Sequence, residues 1–210
     1  MHRRLPSSVV ELAAVRLTQL VEGIDHGGRV CGVHTDVVVL NGGSSAGKSM
    51  IASSLQALLA KPWLTLGVDN LIDALGPAAT GSGSVITFSP DGGVDAGELF
   101  RQAEDAWYQG LAAIARSGTG VIIDEAFLGG GASQFRLSSA LGDLKVLWVG
   151  VHCDPEIASS RELSRPNRVR GMARTQSSLV HEGVNYDVEV DTSDTSAIEC
   201  AHLILARMNL

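Results

Sequence analysis

The sequence predicts a three-layer α/β domain in which about five parallel strands carry helices on both faces. Short apolar runs alternate along the chain with longer segments of helical spacing, and this alternation is typical of parallel strands joined by helices. The first of these runs, residues 37–40, leads directly into a glycine-rich turn, NGGSSAGKS. A chain of 210 residues is long enough for one such domain and too short for two.

The glycine-rich turn has the spacing of a phosphate-binding loop, Gly42-x-x-x-x-Gly47-Lys48-Ser49. We expect Gly42, Gly43 and Gly47 to supply backbone conformations that other residues resist, so that successive N–H groups point at one phosphate chain. Lys48 is expected to reach the β- and γ-phosphates of a nucleoside triphosphate, and the Ser49 hydroxyl to hold Mg²⁺. The predicted nucleotide-binding residues are Gly42, Gly43, Ser44, Ser45, Ala46, Gly47, Lys48 and Ser49.

The other elements follow from apolar periodicity and turn signals. Residues 1–36 are predicted to form a helical extension with an amphipathic helix at 8–23, and residues 37–210 to form the domain that carries the loop. Further helices are expected at residues 49–59, 70–75, 96–116 and 155–163. Another helix is expected to follow the glycines at 129–131 and to end near residue 141, and a last one to follow a capping box at Ser196 and Glu199. Further strands are expected at residues 63–68, 120–124, 144–151 and 186–191, with a long loop or small hairpin at 78–93.

Two acidic residues follow predicted strands. Asp69 comes at the end of the second strand and Asp124 at the end of the third. Ligands of parallel sheets bind beyond the carboxyl ends of the strands, so we expect both carboxylates to share one site with the phosphate loop. Asp124 is the candidate for holding Mg²⁺, or else it is only a polar residue leaving a strand. Asp69 has an alternative role as the N-cap of a helix that starts at Asn70.

Five arginines lie close together near the C-terminal third of the chain: Arg161, Arg165, Arg168, Arg170 and Arg174. One explanation is a mobile lid whose guanidinium groups neutralise the charge that develops on a transferred phosphoryl group. The other explanation is a solvated helical face.

Composition narrows the class of protein. The net charge of −7 argues against nucleic acid as the main partner. The three cysteines are widely spaced and show no metal or disulfide pattern, which fits a reduced cytoplasm. No apolar run approaches the length of a membrane span, so a soluble protein with no membrane partner is expected. The oligomeric state is left open, with a homo-oligomer among the options.

Two competing classes of nucleotide-binding protein are less consistent with the sequence. A GTP-driven switch would normally carry an Asn-Lys-x-Asp motif after the loop, and none is present. A DNA-linked ATPase is disfavoured by the charge and the size of the chain. A small kinase fits best, since phosphoryl transfer to a hydroxyl chiefly needs positioning and charge stabilisation.

The sequence resembles the chloramphenicol phosphotransferases, small P-loop kinases that use ATP to phosphorylate the primary hydroxyl of that antibiotic. The matching stretches are LNGGSSAGKS at 40–49, PWLTLGVDNLIDA at 62–74, DGGV at 91–94, IIDEAFLGG at 122–130, DLKVLWVGVHCD at 143–154, RVRGMA at 168–173 and HEGVNYDVEVDTS at 181–193. Together they span most of residues 37–205. The first 36 residues have no obvious counterpart, and residues 76–90 depart from the family pattern.

The resemblance implies a P-loop kinase fold with an ATP site at Gly42–Ser49. It also implies Asp69 as the catalytic base, with Arg165 and Arg168 in contact with the phosphates beside Lys48. The implied partner is a small-molecule hydroxyl acceptor, with chloramphenicol first and antibiotic inactivation as the outcome. Two alternatives stay open: a kinase for another hydroxyl metabolite or a sugar nucleotide, the latter in the manner of a toxin, and a nucleotide-dependent binding module.

Overall fold

The central sheet has five strands, all parallel, as the sequence predicts. A computed structural model describes residues 34–80, 85–89, 93–164 and 170–208, so the predicted helix at residues 8–23 lies outside it. The sheet strands are β1 (Val37–Asn41), β2 (Leu64–Gly67), β5 (Val121–Glu125), β6 (Val146–His152) and β7 (Val188–Asp191), in the spatial order β2-β5-β1-β6-β7. A separate antiparallel hairpin is formed by β3 (Ile86–Phe88) and β4 (Val94–Ala96).

Eight helices fall within the described residues. They are α1 (Lys48–Leu58), α2 (Val68–Leu75), α3 (Pro77–Thr80), α4 (Glu98–Arg116), α5 (Gly131–Leu141), α6 (Pro155–Leu163), α7 (Met172–Leu179) and α8 (Ala197–Leu205). In the same described part of the chain, no helix is both long and apolar enough to cross a membrane.

The sheet is buried on both faces because successive side chains of a strand point to opposite sides. On one face, Val38 and Leu40 pack with buried residues of α1 and α8. On the other face, Val37 and Val39 pack with buried residues of α4 and α5. Every residue of β1 is buried, which explains the unbroken apolar run that predicts this strand.

A third, smaller apolar cluster lies beside the sheet. It joins the hairpin to α2 and the start of α4 through Ile86, Leu71 and Phe100. The sequence predicts a long loop or a small hairpin in this stretch, and the structure has a hairpin. Residues of the hairpin and of the carboxyl end of the sheet line one cavity.

Helices α2 and α7 are among the details in which the fold differs from the sequence prediction. Helix α2 begins at Val68 rather than Asn70, because the Asn70 side chain accepts a hydrogen bond from the Gly67 N–H (2.9 Å) and so stabilises an earlier helix start. Helix α7 was not predicted as a separate element. The helix is short, and its buried residues are Met172, Ala173 and the polar Gln176, so apolar residues mark only two of its buried positions.

Candidate active site

The glycine-rich turn lies between β1 and α1, at the carboxyl edge of the central strand. Helix α1 begins at Lys48, with Gly47 as its N-cap. The unsatisfied N–H groups and the positive end of the helix dipole therefore face the loop, which is the geometry that binds an anion. The backbone arrangement of the loop agrees with its sequence prediction.

The glycines of the loop serve different purposes, which corrects part of the sequence interpretation. Gly47 has a positive φ of 91°, as expected, but the other residue of the loop with positive φ is Ser45, at 60°, and not Gly42 or Gly43. Gly42 is required for a steric reason, since a Cβ there would lie 2.4 Å from the Val151 carbonyl oxygen. Gly43 has only ordinary contacts at its Cβ position.

Three polar side chains meet at the start of α1. The Lys48 ammonium donates to the Gly42 carbonyl (2.8 Å) and the Gly43 carbonyl (3.0 Å). It also lies 3.7 Å from a carboxylate oxygen of Asp124. The Ser49 hydroxyl donates to the other Asp124 oxygen at 2.8 Å. The structure thus brings together Lys48, Ser49 and Asp124, three residues that the sequence predicts for one site.

The loop is fastened from the C-terminal part of the domain. Thr192 donates from its hydroxyl to the Ala46 carbonyl (2.8 Å), and the buried side chain of Gln176 accepts from the Ser44 N–H (2.9 Å). Arg161 in turn donates to the Thr192 carbonyl (2.7 Å). Arg161 therefore supports the loop from α6 rather than belonging to a mobile lid.

A polar network anchors the end of β1 next to the loop. Asn41 donates to the Val180 carbonyl (2.7 Å) and to the Tyr186 hydroxyl (2.6 Å), while its amide oxygen accepts from the Phe127 N–H (2.8 Å). The Tyr186 hydroxyl also bonds to His181 Nδ1 (2.6 Å). Burial and the neighbouring His152 lower the pKa of His181 to about 4, and burial raises the pKa of Tyr186 to about 12. Both side chains are therefore neutral near neutral pH.

Asp69 lies in the first turn of α2, directly after β2. The N-cap of this helix is Gly67, so the alternative that Asp69 acts as an N-cap is wrong. Strand β2 pairs with β5 so that Gly67 is opposite Asp124. A Cβ at Gly67 would lie 2.0 Å from the Asp124 carbonyl oxygen, which means that only glycine allows this close approach.

One cavity of about 760 Å³ joins these elements. It is lined by the phosphate loop from Ser44 to Ser49 and by Asp69 and Asp124. Apolar lining comes from the hairpin, the start of α4 and the segment after β5: Ile86, Val94, Phe100, Phe127 and Leu128. The predicted loop and both predicted carboxylates therefore border the same space.

A cluster of polar residues that the sequence analysis missed lines the same cavity. Glu125 is only 2% exposed, and burial, together with Glu104 and Asp124, raises the pKa of its carboxyl well above the usual range. Burial and the nearby Glu125 also raise the pKa of Tyr108. Glu104 and Asp105 pair with Arg136 at 2.8 and 2.6 Å.

The residues that the sequence analysis missed differ in whether the sequence contains a signal for them. Glu125 directly follows Asp124, so strand alternation alone predicts that the two carboxylates face opposite sides of the sheet. No local signal points to Gln176 or Arg136. Arg165 and Arg168 lie outside the described residues, so their predicted contact with phosphate stays a prediction.

A sequence profile of the chloramphenicol phosphotransferase-like protein family matches residues 35–209. The chain belongs to this family. A protein of Mycobacterium tuberculosis strain H37Rv, provisionally named as an O-phosphotransferase (Rv2636), is 31% identical over 180 residues, which cover 79% of this chain and 78% of that protein. The resemblance seen in the sequence is thereby confirmed, and the chain is a small-molecule phosphotransferase.

Solved structures support the fold. A sugar kinase from Janibacter sp. is similar with a TM-score of 0.59 at 18% identity, over 82% of this chain and 95% of that one. The tunicamycin resistance protein of Deinococcus radiodurans has a TM-score of 0.59 at 19% identity, over 83% of this chain and 95% of its own. The predicted α/β three-layer fold of P-loop kinases is confirmed.

Proposed function

We propose that the protein transfers the γ-phosphoryl group of ATP to a hydroxyl of a small-molecule acceptor. Chloramphenicol is the first acceptor to test, and antibiotic inactivation is the corresponding role. The main support is a cavity lined by both the phosphate loop and Asp69. For direct transfer, the phosphate donor and the acceptor have to lie next to each other in one enclosed space. We further propose that the enzyme is cytoplasmic, where ATP is available as the donor.

The phosphate chain would lie on the backbone N–H groups of the loop and the N-terminus of α1. The Lys48 ammonium donates to the Gly42 and Gly43 carbonyls of the loop, and with a nucleotide bound it would contact the β- and γ-phosphates. A positioned cation next to developing negative charge lowers the barrier to transfer.

The residues present fit a magnesium ion. A hydroxyl and a carboxylate supply the hard oxygen ligands that Mg²⁺ prefers, and the Ser49 hydroxyl and the Asp124 carboxylate are 2.8 Å apart. Ser49 and Asp124 are the residues that would hold it, and it would neutralise charge on the phosphates of the donor.

Asp69 is our candidate for the general base. It lies in the first turn of α2 and lines the cavity together with apolar side chains of the hairpin, which supports contact with an acceptor. The carboxylate would accept the proton of the acceptor hydroxyl and orient its oxygen for in-line attack. Arg165 and Arg168 are proposed to contact the phosphates, and their replacement with Ala should lower kcat more than ATP affinity.

Two other functions remain to be tested against this one. A kinase for another hydroxyl metabolite, or for a sugar nucleotide, would use the same loop and base with a different acceptor. A nucleotide-dependent binding module would bind ATP in the loop without transferring its phosphate.

The test is ATP consumption measured against a panel of hydroxyl compounds, with chloramphenicol, simple sugars and a sugar nucleotide included. We expect one compound to raise ADP formation and to gain the mass of one phosphate. Slow hydrolysis that no hydroxyl compound accelerates, with no phosphorylated product, would contradict the kinase and favour the binding module.

A further inference from the structure

Ser45, in the middle of the phosphate loop, holds a backbone conformation that serine resists. Its φ is 60°, and it is the one described residue other than glycine with a positive φ. This left-handed conformation costs free energy in a residue with a Cβ, unless a hydrogen bond from the side chain offsets the cost. The Ser45 hydroxyl is buried and has no hydrogen-bond partner within the described part of the chain. The conformation of Ser45 therefore depends on contacts made by its neighbours.

The residues on either side of Ser45 are both bonded to side chains from outside the loop. Before it, the Ser44 N–H donates to the side-chain oxygen of Gln176 at 2.9 Å. After it, the Ala46 carbonyl accepts from the Thr192 hydroxyl at 2.8 Å. A strained conformation persists only where the surrounding structure restrains it. These two hydrogen bonds supply that restraint.

Gln176 reaches the loop from α7, which packs directly against it. A Cβ at Gly43 would be in ordinary contact, at 3.4 Å, with the carbonyl carbon of Gln176. The Gln176 residue is only 3% exposed. Because water is excluded from this contact, the bond to the Ser44 N–H is not weakened by a competing partner. Removal of the Gln176 amide would leave that N–H without its acceptor.

Both restraints are anchored by two adjacent residues of α6. The buried carboxylate of Glu162 accepts from the N–H groups of Gly171 and Ala173, each at 2.8 Å, at the N-terminus of α7. Arg161 donates to the Thr192 carbonyl at 2.7 Å and to its hydroxyl at 3.1 Å. A carboxylate at a helix N-terminus satisfies N–H groups that have no partner within the helix. Helix α6 therefore supports the loop through two separate routes.

Resting on the ATP site of the function proposed above, we propose that Gln176 is a positioning residue for the nucleotide. Together with Thr192, it keeps Ser45 in the left-handed conformation before ATP binds. The N–H groups that follow Ser45 then point toward the phosphate position in advance. A loop that is already in its binding conformation loses no affinity to rearrangement.

The test is Gln176→Met, which keeps an unbranched side chain of similar length and removes the amide oxygen. Without this acceptor, Ser45 would mostly adopt an ordinary negative φ, and ATP would bind only the minor conformation. We expect the Kd of ATP with Mg²⁺, measured without an acceptor by isothermal titration calorimetry, to rise about 5- to 50-fold. Gln109→Met, the same change at an exposed position of α4, is the matched control.

Steady-state kinetics separates this role from a structural one. The KM for ATP should rise together with its Kd. Bound phosphates hold the loop themselves, so kcat at saturating ATP and the KM of the acceptor should change by less than about twofold. General damage to the domain would instead lower Tm and kcat without a selective effect on ATP.

A second substitution tests whether Gln176 acts through Ser45. Glycine adopts a positive φ at little cost, so in a Ser45→Gly background Gln176→Met should raise the Kd of ATP by less than about threefold. If Gln176→Met does not fold, Thr192→Val removes the restraint on the other side of Ser45. It should likewise raise the Kd of ATP more in the Ser45 protein than in the Ser45→Gly background.

The inference and the proposed function fail in different ways. An unchanged Kd of ATP in Gln176→Met, or an equal rise in both backgrounds, overturns the inference and leaves the proposed function standing. Phosphorylation of none of the hydroxyl compounds would contradict the proposed function alone, because the affinity measurements need no acceptor. A wild-type protein that binds no ATP would overturn both.

Discussion

The two sides of the cavity are constructed differently. The proposed nucleotide side is one continuous segment, from β1 through the loop into α1, and its contacts with phosphate would be made largely by backbone groups. The proposed acceptor side is assembled from five separate stretches that line the cavity: the end of β2 with α2, the hairpin, α4, the end of β5 and the start of α5. It is formed by side chains that are distant in sequence.

This difference explains how each side can vary. A loop that binds phosphate through N–H groups and a helix dipole works for any nucleoside triphosphate, so it needs a fixed backbone and few particular side chains. A wall of side chains from several elements can change its shape without disturbing the sheet. We therefore expect changes on the nucleotide side to abolish transfer with every acceptor, and changes on the acceptor side to alter which acceptor is used.

The largest effect is expected on the nucleotide side, from Lys48→Ala. Loss of the ammonium removes a charged contact to the phosphates, so kcat should fall on the order of 10²–10³-fold for every acceptor. Steady-state kinetics with at least two acceptors measures this, and Lys61→Ala, at an exposed lysine, is the control. A loss of kcat with only one of the acceptors would contradict the proposal that the nucleotide side serves every acceptor in the same way.

The junction between the two sides is tested by stability. Gly67→Ala would push a Cβ into the Asp124 carbonyl oxygen, at 2.0 Å, and neither backbone can easily move. We expect a loss of about 1–3 kcal/mol in the free energy of unfolding, measured by urea denaturation. The control is Gly110→Ala in the exposed middle of α4, where no described atom lies within 4 Å of the new Cβ.

Gly110→Ala should stabilise the protein by roughly 0.5–1 kcal/mol, because alanine favours a helix more than glycine does. Equal effects of the two substitutions would show that the contact between β2 and β5 is not as tight as the structure has it.

A smaller effect is expected from pH at the anchor of β1. The pKa of His181 is about 4 in the folded protein, below its ordinary value of 6.5, so folding favours the neutral ring. The unfolded chain binds more protons between these values. The contribution of His181 to stability is therefore complete above about pH 6.5 and is lost as the pH falls toward about 4.

The measurement is Tm at about pH 7 and about pH 5. The wild-type protein should lose more Tm on acidification than His181→Gln, in which the titrating ring is absent. His202→Gln, at an exposed position, should behave like the wild type. If His181→Gln and the wild type lose the same Tm, protonation of this ring does not weaken the anchor.

The nucleotide side could be predicted almost entirely from the sequence. The spacing of Gly42, Gly47, Lys48 and Ser49 predicts the phosphate-binding loop. The position of Asp124 at the end of a later strand predicts that its carboxylate lies near this loop. Contiguous motifs and strand ends are local features, and the rules that connect them to a parallel sheet are general. What the motif did not predict was the positive φ at Ser45, because the strained position of a loop depends on its neighbours.

On the proposed acceptor side the sequence predicts only Asp69, and its role as the base stays a prediction. Arg136 lines the cavity through tertiary contacts between α4 and α5, which have no signature in a single segment. For Glu125, its position after Asp124 predicts only that it faces the other side of the sheet. The support of the loop by Gln176 and Arg161 was missed for the same reason: both contacts join residues more than thirty positions apart in the chain.

The central claim, that phosphate passes across this cavity to an acceptor hydroxyl activated by Asp69, is tested most directly by Asp69→Asn. Asparagine keeps the shape of the side chain and removes its basicity. With the best acceptor of the panel and ATP, formation of phosphorylated product followed by mass spectrometry should slow by roughly 10²–10⁴-fold in kcat, with ATP affinity and Tm almost unchanged. Asp143→Asn, at a 94% exposed side chain, serves as the control and should retain full activity. Full activity of Asp69→Asn would contradict the account.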